Sequence, residues 1–243
     1  MNEMLFARRA IASSLLYVSC LVILIAGCGN ETNTALKTDE HIPAKEHVFR
    51  QKVEGLLQSL DGKENLVRRS AYELCCEIRK ETDAVDRLRL VAFYTNAIQK
   101  LSVDIASDHL DDEKGINDID VRLRNSWHFV EWGTAALFDT EPDSLAGWTF
   151  LISAAGRYRD VLEMIEKKLS QRSLAARQRM RLDAFRRHIS IMYESKVWGI
   201  GKTYWSLHDK IPPRQCEEIR KIVKRRLGVL PSEMAKDNES AAR

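Results

Sequence analysis

Proline and glycine are scarce in this chain, with five prolines and eleven glycines among 243 residues. Runs that alternate β-branched and polar residues are also rare, which argues against a protein built from strands and tight turns. Apolar side chains make up 44% of the residues, which is enough to bury a core. The composition therefore predicts an all-α fold, either an irregular helical bundle or a short array of helical hairpins, with six or seven helices.

The motifs that identify common enzyme classes are also missing. H-E-x-x-H, G-x-S-x-G, S-x-x-K and C-x-x-C do not occur, which excludes the common metalloprotease, hydrolase, penicillin-binding and thioredoxin patterns. Residues 107–118 are predicted to form an acidic loop between two helices, but residues 108–120 cannot be fitted to a calcium loop with glycine at its sixth position. His128 and Glu131 share a helix face, yet the paired Glu-x-x-His motifs of a di-iron bundle do not occur. We therefore predict neither a metal site nor a cofactor.

One short stretch does suggest nucleotide chemistry. Residues 199–203 read GIGKT and contain the Gly-Lys-Thr that closes a phosphate-binding loop. The first glycine of that loop would fall where the chain has Lys196, and the preceding residues continue a helical pattern instead of a strand. We therefore expect Lys202 to bind no nucleotide. Gly199 and Gly201 are expected to break or kink the long helix, with neighbouring aromatic side chains packed around the bend.

The first 30 residues follow the layout of a secretory signal. Two arginines precede an apolar stretch that runs from residue 10 to residue 27 and carries no charge. At its end stands Ile25-Ala26-Gly27-Cys28, which resembles the lipobox of bacterial lipoproteins. The resemblance implies that residues 1–27 are removed as a signal peptide and that diacylglycerol is attached to Cys28. An uncleaved transmembrane helix is the alternative.

Residues 28–45 are predicted to be a flexible polar tether between the acylated cysteine and the first helix. Gly29 stands where lipoproteins retained in the inner membrane carry aspartate, so the resemblance implies the periplasmic face of the outer membrane. The chain is thus predicted to lie in a bacterial cell envelope. Its acyl anchor would bind it to the membrane, and its oligomeric state is left open.

Apolar residues recur at helical spacing through residues 46–230, which we assign to one all-helical domain. The predicted helical segments are residues 49–60, 67–78, 88–105, 119–138, 145–169, 174–198 and 211–228. Residues 155–169, AGRYRDVLEMIEKKL, resemble the second helix of a tetratricopeptide repeat, but no second copy follows at the 34-residue period. Residues 231–243 are predicted to form a disordered tail.

Charge is distributed unevenly along the chain. Residues 31–120 carry 13 basic and 19 acidic side chains, whereas residues 121–243 carry 23 basic and 15 acidic ones. The basic stretch, residues 167–188, is either the solvated face of a helix or a site for an anionic partner such as lipid headgroups, anionic glycans or an acidic protein. Nucleic acid is excluded as a partner by the predicted export. In this helix Leu182, Phe185 and Ile189 are expected to face the core. The cations that we assign to an anionic-partner site, Arg179, Arg186 and Arg187, are then expected to face water.

Two functions are compatible with the sequence. The first is a non-catalytic binding or scaffold role, which would use the basic C-terminal half of the chain or a groove between helices. The second follows from residues 193–195, Tyr-Glu-Ser, which are similar to the Glu-Ser of lytic transglycosylases, helical enzymes of the cell envelope. That resemblance implies that Glu194 acts as the general acid that protonates a glycosidic oxygen.

Three cysteines lie in the predicted domain. Cys216 could form a disulfide with Cys75 or Cys76 in an oxidising envelope if the last helix packs on the second. A bond between the two adjacent cysteines is disfavoured inside a helix because their Cα atoms lie only about 3.8 Å apart. Free, buried thiols are the other interpretation.

Overall fold

The computed structural model describes residues 44–103 and 105–229. Within these residues 83% of the chain is helical and no strand occurs, so the predicted all-α bundle is confirmed. The seven helices are α1 (Ala44–Gln58), α2 (Glu64–Lys80), α3 (Ala84–Gln99), α4 (Glu113–Phe138), α5 (Leu145–Leu169), α6 (Ala176–Leu207) and α7 (Pro213–Leu227). The predicted signal peptide, the tail and all but the last two residues of the tether lie outside the described residues.

Polar side chains at helix starts explain several of these boundaries. Asp83, Asp112 and Ser144 each accept a hydrogen bond from a backbone N–H in the first turn of α3, α4 and α5, respectively. These caps satisfy donors that the first turn of a helix leaves unpaired. Helix α7 begins with Pro213 and is followed by Gly228, whose φ of 76° lies in the left-handed region that favours glycine.

The predicted boundaries on either side of residues 100–112 are wrong. Helix α3 ends at Gln99 instead of continuing to residue 105, and the carbonyl of Leu101 accepts a hydrogen bond from the Arg157 side chain of α5. The segment predicted to be an acidic loop, residues 107–118, is helical from Glu113 onward because the carboxylate of Asp112 caps that helix. The Arg157 contact and the Asp112 cap both lie outside the apolar pattern from which these boundaries were predicted.

Helix α6 passes through both of its glycines and continues to Leu207, so the predicted break in the helix is wrong. The side chain of Ile200 lies between the two glycines and is buried, as is that of Tyr204. The Tyr204 ring packs edge-on against Trp148 of α5, with ring centroids 5.9 Å apart. This packing holds the C-terminal half of α6 on α5 and keeps the segment helical.

Helix α4 lies at the centre of the bundle. It packs against α2 and α3 on one side and against α5 on the other, while α5 also supports α6 and α7. Tyr94 of α3 stacks on Phe129 of α4, with centroids 4.9 Å apart, and contacts α4 at Gly133, where a side chain would clash with its ring. None of the helices in the described part of the chain combines the length and apolar character needed to cross a membrane.

Candidate functional site: the α4–α6 groove

A groove lies between α4 and α6, which both pack on α5. Its volume is about 220 Å³, and Leu151 of α5 lies between the two helices. The main side chains of its walls are Trp127, Trp132 and Phe138 from α4, with Ile200 and Thr203 from α6. Gly199 opens the α6 wall, because a Cβ atom at this position would meet no atom within 4 Å. We call this feature the α4–α6 groove.

Lys196 stands one turn before Gly199 and brings a cation to the α4–α6 groove. Its Nζ atom lies 5.0 Å from the centre of the Trp127 ring, which is a cation–π contact. Burial of the ammonium lowers the pKa of Lys196, whereas the nearby carboxylates of Glu131 and Glu64 act in the opposite direction. A further anionic group beside the groove would stabilise this partly desolvated charge. Lys196 is therefore a candidate contact for an acidic part of a ligand.

An ionic network begins at the groove and joins α4 to the first turn of α2. Glu131 Oε2 lies 3.4 Å from His128 Nδ1, and His128 Nε2 lies 3.3 Å from Glu64 Oε1. Arg124 donates to the other carboxylate oxygen of Glu64 at 2.5 Å. Glu64 also occupies the first turn of α2, where the helix dipole favours a negative charge. The network thus fixes α4 against α2 beside the groove.

The same network continues to α6. Arg124 donates to Asp120 Oδ2 at 2.6 Å, and Asp120 Oδ1 lies 3.0 Å from His188 Nε2 of α6. Asp120, Arg124 and His128 follow one another at intervals of four residues, which aligns them on one face of α4. Trp127 lies on the same face by its helical position. The network therefore helps to set the distance between the two helices that form the groove walls.

This arrangement is suited to binding. The carboxylates of Glu64 and Asp120 link neighbouring helices through Arg124, His128 and His188, whereas Glu131 lies beside His128 of its own helix. In residues 44–103 and 105–229, no group of three or more His, Cys, Asp or Glu side chains is arranged to hold a metal ion. What the groove offers a ligand is an apolar surface with charged groups at its edge, which is a common composition for a binding site.

The three arginines assigned to an anionic-partner site lie in different environments. Arg179 donates from Nη1 to the Leu169 carbonyl at 2.8 Å and from Nη2 to the Gln171 carbonyl at 3.1 Å, so it caps the C-terminus of α5. Arg186 is exposed and lies 3.5 Å from Asp183, and Arg187 is exposed. The expectation that all three simply point to water is therefore wrong for Arg179, because a neighbouring helix end accepts its hydrogen bonds.

Glu194, the candidate general acid, lies on the exposed face of α6 and not in the groove. Its Oε1 accepts a hydrogen bond from Ser190 at 3.3 Å. A glycosidase acid needs apolar surroundings that favour its protonated form until it donates the proton. The position of Glu194 does not supply such surroundings, and no observation favours the catalytic alternative.

The Gly-Lys-Thr triplet is part of a continuous helix. Residues 199–203 have helical backbone, so their N–H groups are directed along the helix instead of around a phosphate. Lys202 is exposed, and its Nζ atom lies 5.4 Å from the Trp198 ring centroid. This lysine therefore contacts an aromatic ring on its own helix.

Cys75, Cys76 and Cys216 are free thiols. Cys75 is fully buried in α2, and desolvation raises its pKa to about 11. Helix α2 packs on α4, whereas α7, which carries the buried Cys216, packs on α5. The disulfide interpretation therefore fails because the last helix does not pack on the second, and the interpretation as buried thiols is confirmed for Cys75 and Cys216.

Sequence reasoning missed most of the residues that build the groove and its network. It paired His128 with Glu131 on one face of a helix but did not include Asp120 and Arg124. The four-residue spacing of these side chains was a usable signal, because it predicts ion pairs along one face of a helix. The contributions of Glu64 and Lys196 had no such signal, since each comes from another helix.

Comparison with protein-family models, with curated proteins and with solved structures gives no match.

Proposed function

We propose that this protein is a lipid-anchored protein of the bacterial cell envelope with a non-catalytic binding role. The residues Ile25-Ala26-Gly27-Cys28 support the anchor, because an apolar residue, two small residues and a cysteine follow an uncharged apolar stretch. Each CH₂ group of an acyl chain on Cys28 would contribute about 0.8 kcal/mol on burial in the bilayer. The composition after Cys28 supports a polar tether, and Gly29 favours the periplasmic face of the outer membrane.

The α4–α6 groove carries the binding part of this proposal. Its volume of about 220 Å³ lies below the range of roughly 300–1,000 Å³ that is typical of pockets for drug-sized ligands. A groove of this size fits one large apolar side chain better than a whole cofactor. Protein partners often insert such a side chain into a desolvated pocket at the centre of an interface. We therefore propose a protein partner that inserts an apolar or aromatic residue beside Trp127 and places an acidic group near Lys196.

The anchor is tested with Cys28→Ser. This substitution removes the thiol that would receive the acyl group, so we expect the full-length precursor to remain uncleaved and to take up no radioactive palmitate. Wild-type chain expressed in parallel should be labelled and shortened. Palmitate incorporation into the Cys28→Ser chain would rule out the lipobox assignment.

The proposed binding role of the α4–α6 groove is tested by filling the groove with a larger side chain. A photo-crosslinking amino acid at Thr203, placed in the full chain in its own membranes, should give a defined crosslinked product. Adding Gly199→Leu should remove that product, because the new side chain occupies the open wall of the groove.

Gly55→Leu is the matched control. Gly55 is also inside a helix, and a Cβ atom there would meet nothing within 4 Å, but it lies on α1 and not in the α4–α6 groove. The crosslink at residue 203 should survive this change. A product that persists in Gly199→Leu, or that disappears equally in Gly55→Leu, would contradict a binding role for the groove.

A further inference from the structure

Helix α6 carries a line of large apolar side chains on its solvent-facing side. They are Met180, Ile191, Trp198 and Trp205, which are 67%, 66%, 42% and 44% exposed. They are separated by 11, 7 and 7 residues, which correspond to about three, two and two turns and place them on one side of the helix. From Met180 to Trp205 the line extends for about 38 Å at 1.5 Å per residue. We call these four residues the outer stripe.

The alignment of these residues is what requires an explanation. Single exposed apolar residues are normal on protein surfaces, whereas several of them aligned with basic residues on one face are typical of a helix that lies in an interface. Four of the ten large apolar side chains that are exposed in the described residues lie on this one line, and two of them are tryptophans. The opposite side of α6 already packs in the core through Leu182, Ile189 and Ile200. The stability of the bundle therefore gives no reason for the outer stripe.

The surface around the outer stripe is basic. Helix α6 contains seven Lys or Arg residues and two acidic ones, Asp183 and Glu194. Arg187 falls between Met180 and Ile191 on the exposed side and has no ion-pair partner among the described residues. Lys202 lies between the two exposed tryptophans and is also exposed. Glu194 is also exposed on this line, between Ile191 and Trp198. The outer stripe thus combines apolar and aromatic groups with a net positive charge.

We propose that the outer stripe lies on an anionic phospholipid surface, with its tryptophan rings at the level of the headgroups. Trp and Tyr are enriched at membrane–water interfaces, and helices that lie in an interface combine apolar residues with Lys and Arg. Arg187 and Lys202 can keep their charged ends among lipid phosphates while their alkyl chains lie along the apolar surface. A second copy of the chain is a poorer occupant, because it would bring one strongly basic helix against another.

This inference deepens the proposed function and rests on it for access to the membrane. If Cys28 is the anchor, 15 residues separate it from the first residue of α1. A flexible chain of this length has a root-mean-square span of about 20 Å and can extend to about 50 Å. The helical domain would therefore remain close enough to the bilayer for the outer stripe to reach its surface.

Quenching of tryptophan fluorescence by brominated lipid tests the proposal. The full chain is reconstituted in vesicles of phosphatidylcholine alone or with 30% phosphatidylglycerol, with and without brominated acyl chains. We expect quenching in the anionic vesicles and at least a twofold smaller effect in the neutral ones. The double variant Trp198→Phe, Trp205→Phe should lose most of the quenchable signal, because Trp127 and Trp148 are buried and Trp132 is only partly exposed and lies on α4, away from the outer stripe.

Charge reversal separates surface binding from general effects of charge. Arg187→Glu with Lys202→Glu should abolish the quenching in anionic vesicles. Lys63→Glu with Arg69→Glu makes the same change in net charge at exposed positions on the other half of the bundle and should leave the quenching unchanged. Equal quenching in neutral and anionic vesicles, or equal loss in both double variants, would overturn the proposal.

Failure of this inference can be distinguished from failure of the lipid anchor. The quenching experiment can be performed with a chain that carries no acyl group, so its result does not depend on acylation of Cys28. Quenching of an unacylated chain would support the outer stripe, whereas the anchor is decided separately by palmitate labelling of wild type and Cys28→Ser. Absence of quenching together with a chemically crosslinked dimer that Trp198→Ser removes would assign the stripe to a second copy and refute membrane contact.

Discussion

Gly133 and Gly199 have opposite effects on stability. The difference depends on whether a Cβ atom at the position would have neighbouring atoms. At Gly133 a Cβ atom would lie 2.5 Å from Cδ1 of Tyr94, so the absence of a side chain lets α3 and α4 approach closely. At Gly199 a Cβ atom would meet nothing, so the absence of a side chain leaves the α4–α6 groove open. The first glycine contributes to stability, whereas the second costs stability and maintains a cavity.

Alanine substitutions should therefore change stability in opposite directions. Gly199→Ala should raise the free energy of unfolding by about 1 kcal/mol, because alanine is the better residue in a helix interior. Gly133→Ala should lower it by about 1–3 kcal/mol, because the new methyl group overpacks against the Tyr94 ring. Urea unfolding measures both values, with Gly55→Ala as the exposed control that should resemble Gly199→Ala. A loss of stability in Gly199→Ala would show that the groove wall is more tightly packed than described.

In α6, the spacing of apolar residues predicts correctly which side chains face the core. Leu182, Phe185 and Ile189 were predicted to face the core, and their burial confirms this. The role of Arg179 could not be predicted in the same way. Its partners are backbone carbonyls at the end of α5, and such acceptors leave no pattern in the sequence around the arginine.

At the scale of elements, helix α6 is continuous because tertiary packing outweighs the low helix propensity of its two glycines. Each glycine costs about 1 kcal/mol relative to alanine in a helix interior, so Gly199 and Gly201 together disfavour the helix by about 2 kcal/mol. Full burial of an apolar side chain such as Ile200, which is 1% exposed, contributes about 1.5–3 kcal/mol, and the Tyr204 ring, which is also 1% exposed, adds its contact with Trp148. The tertiary contacts outweigh the local cost, which explains why the break predicted from the glycines does not occur.

The junction between α5 and α6 provides a test at the same scale. Arg179→Ala removes two hydrogen bonds to the carbonyls that end α5, so we expect the free energy of unfolding to fall by about 1 kcal/mol. Arg187→Ala, an exposed arginine of the same helix, should change it by less than about 0.5 kcal/mol. Thermal and urea unfolding of the two single variants compare them directly. Equal stability of both variants would mean that the contacts of Arg179 do not hold the helix end.

The helices were more predictable than the site they form. Apolar periodicity located all seven helices because each one buries a stripe of its own residues, and Pro213 and Gly228 marked the limits of α7. The α4–α6 groove was anticipated only as an unspecified groove between helices. Its walls come from α4 and α6, whose relative position depends on α5 and on contacts such as Asp120 with His188. One sequence contains no direct record of such long-range pairs.

At the scale of the whole molecule, α4 connects the two halves of the bundle. Helices α2 and α3 pack on one side of it, and α5, which supports α6 and α7, packs on the other. Phe138 at the end of α4 lies 4.7 Å from Trp148 of α5, measured between ring centroids. The ionic network adds links from Arg124 to α2 and from Asp120 to α6. The two halves therefore share a core and should not unfold independently.

This architecture predicts one cooperative unfolding transition. Amide hydrogen exchange measured in increasing urea should give the same opening free energy for the Leu123 region of α4, the Ile152 region of α5 and the Leu74 region of α2, because all three are buried in one connected core. The first turn of α1 should exchange faster, since helix ends open locally. Leu123→Ala should lower the three opening free energies by the same amount, about 2–5 kcal/mol. If the α2 region opened at lower urea than the α5 region, or if Leu123→Ala affected only one of them, α4 would not couple the two halves, and the groove wall on α4 could move independently of the wall on α6.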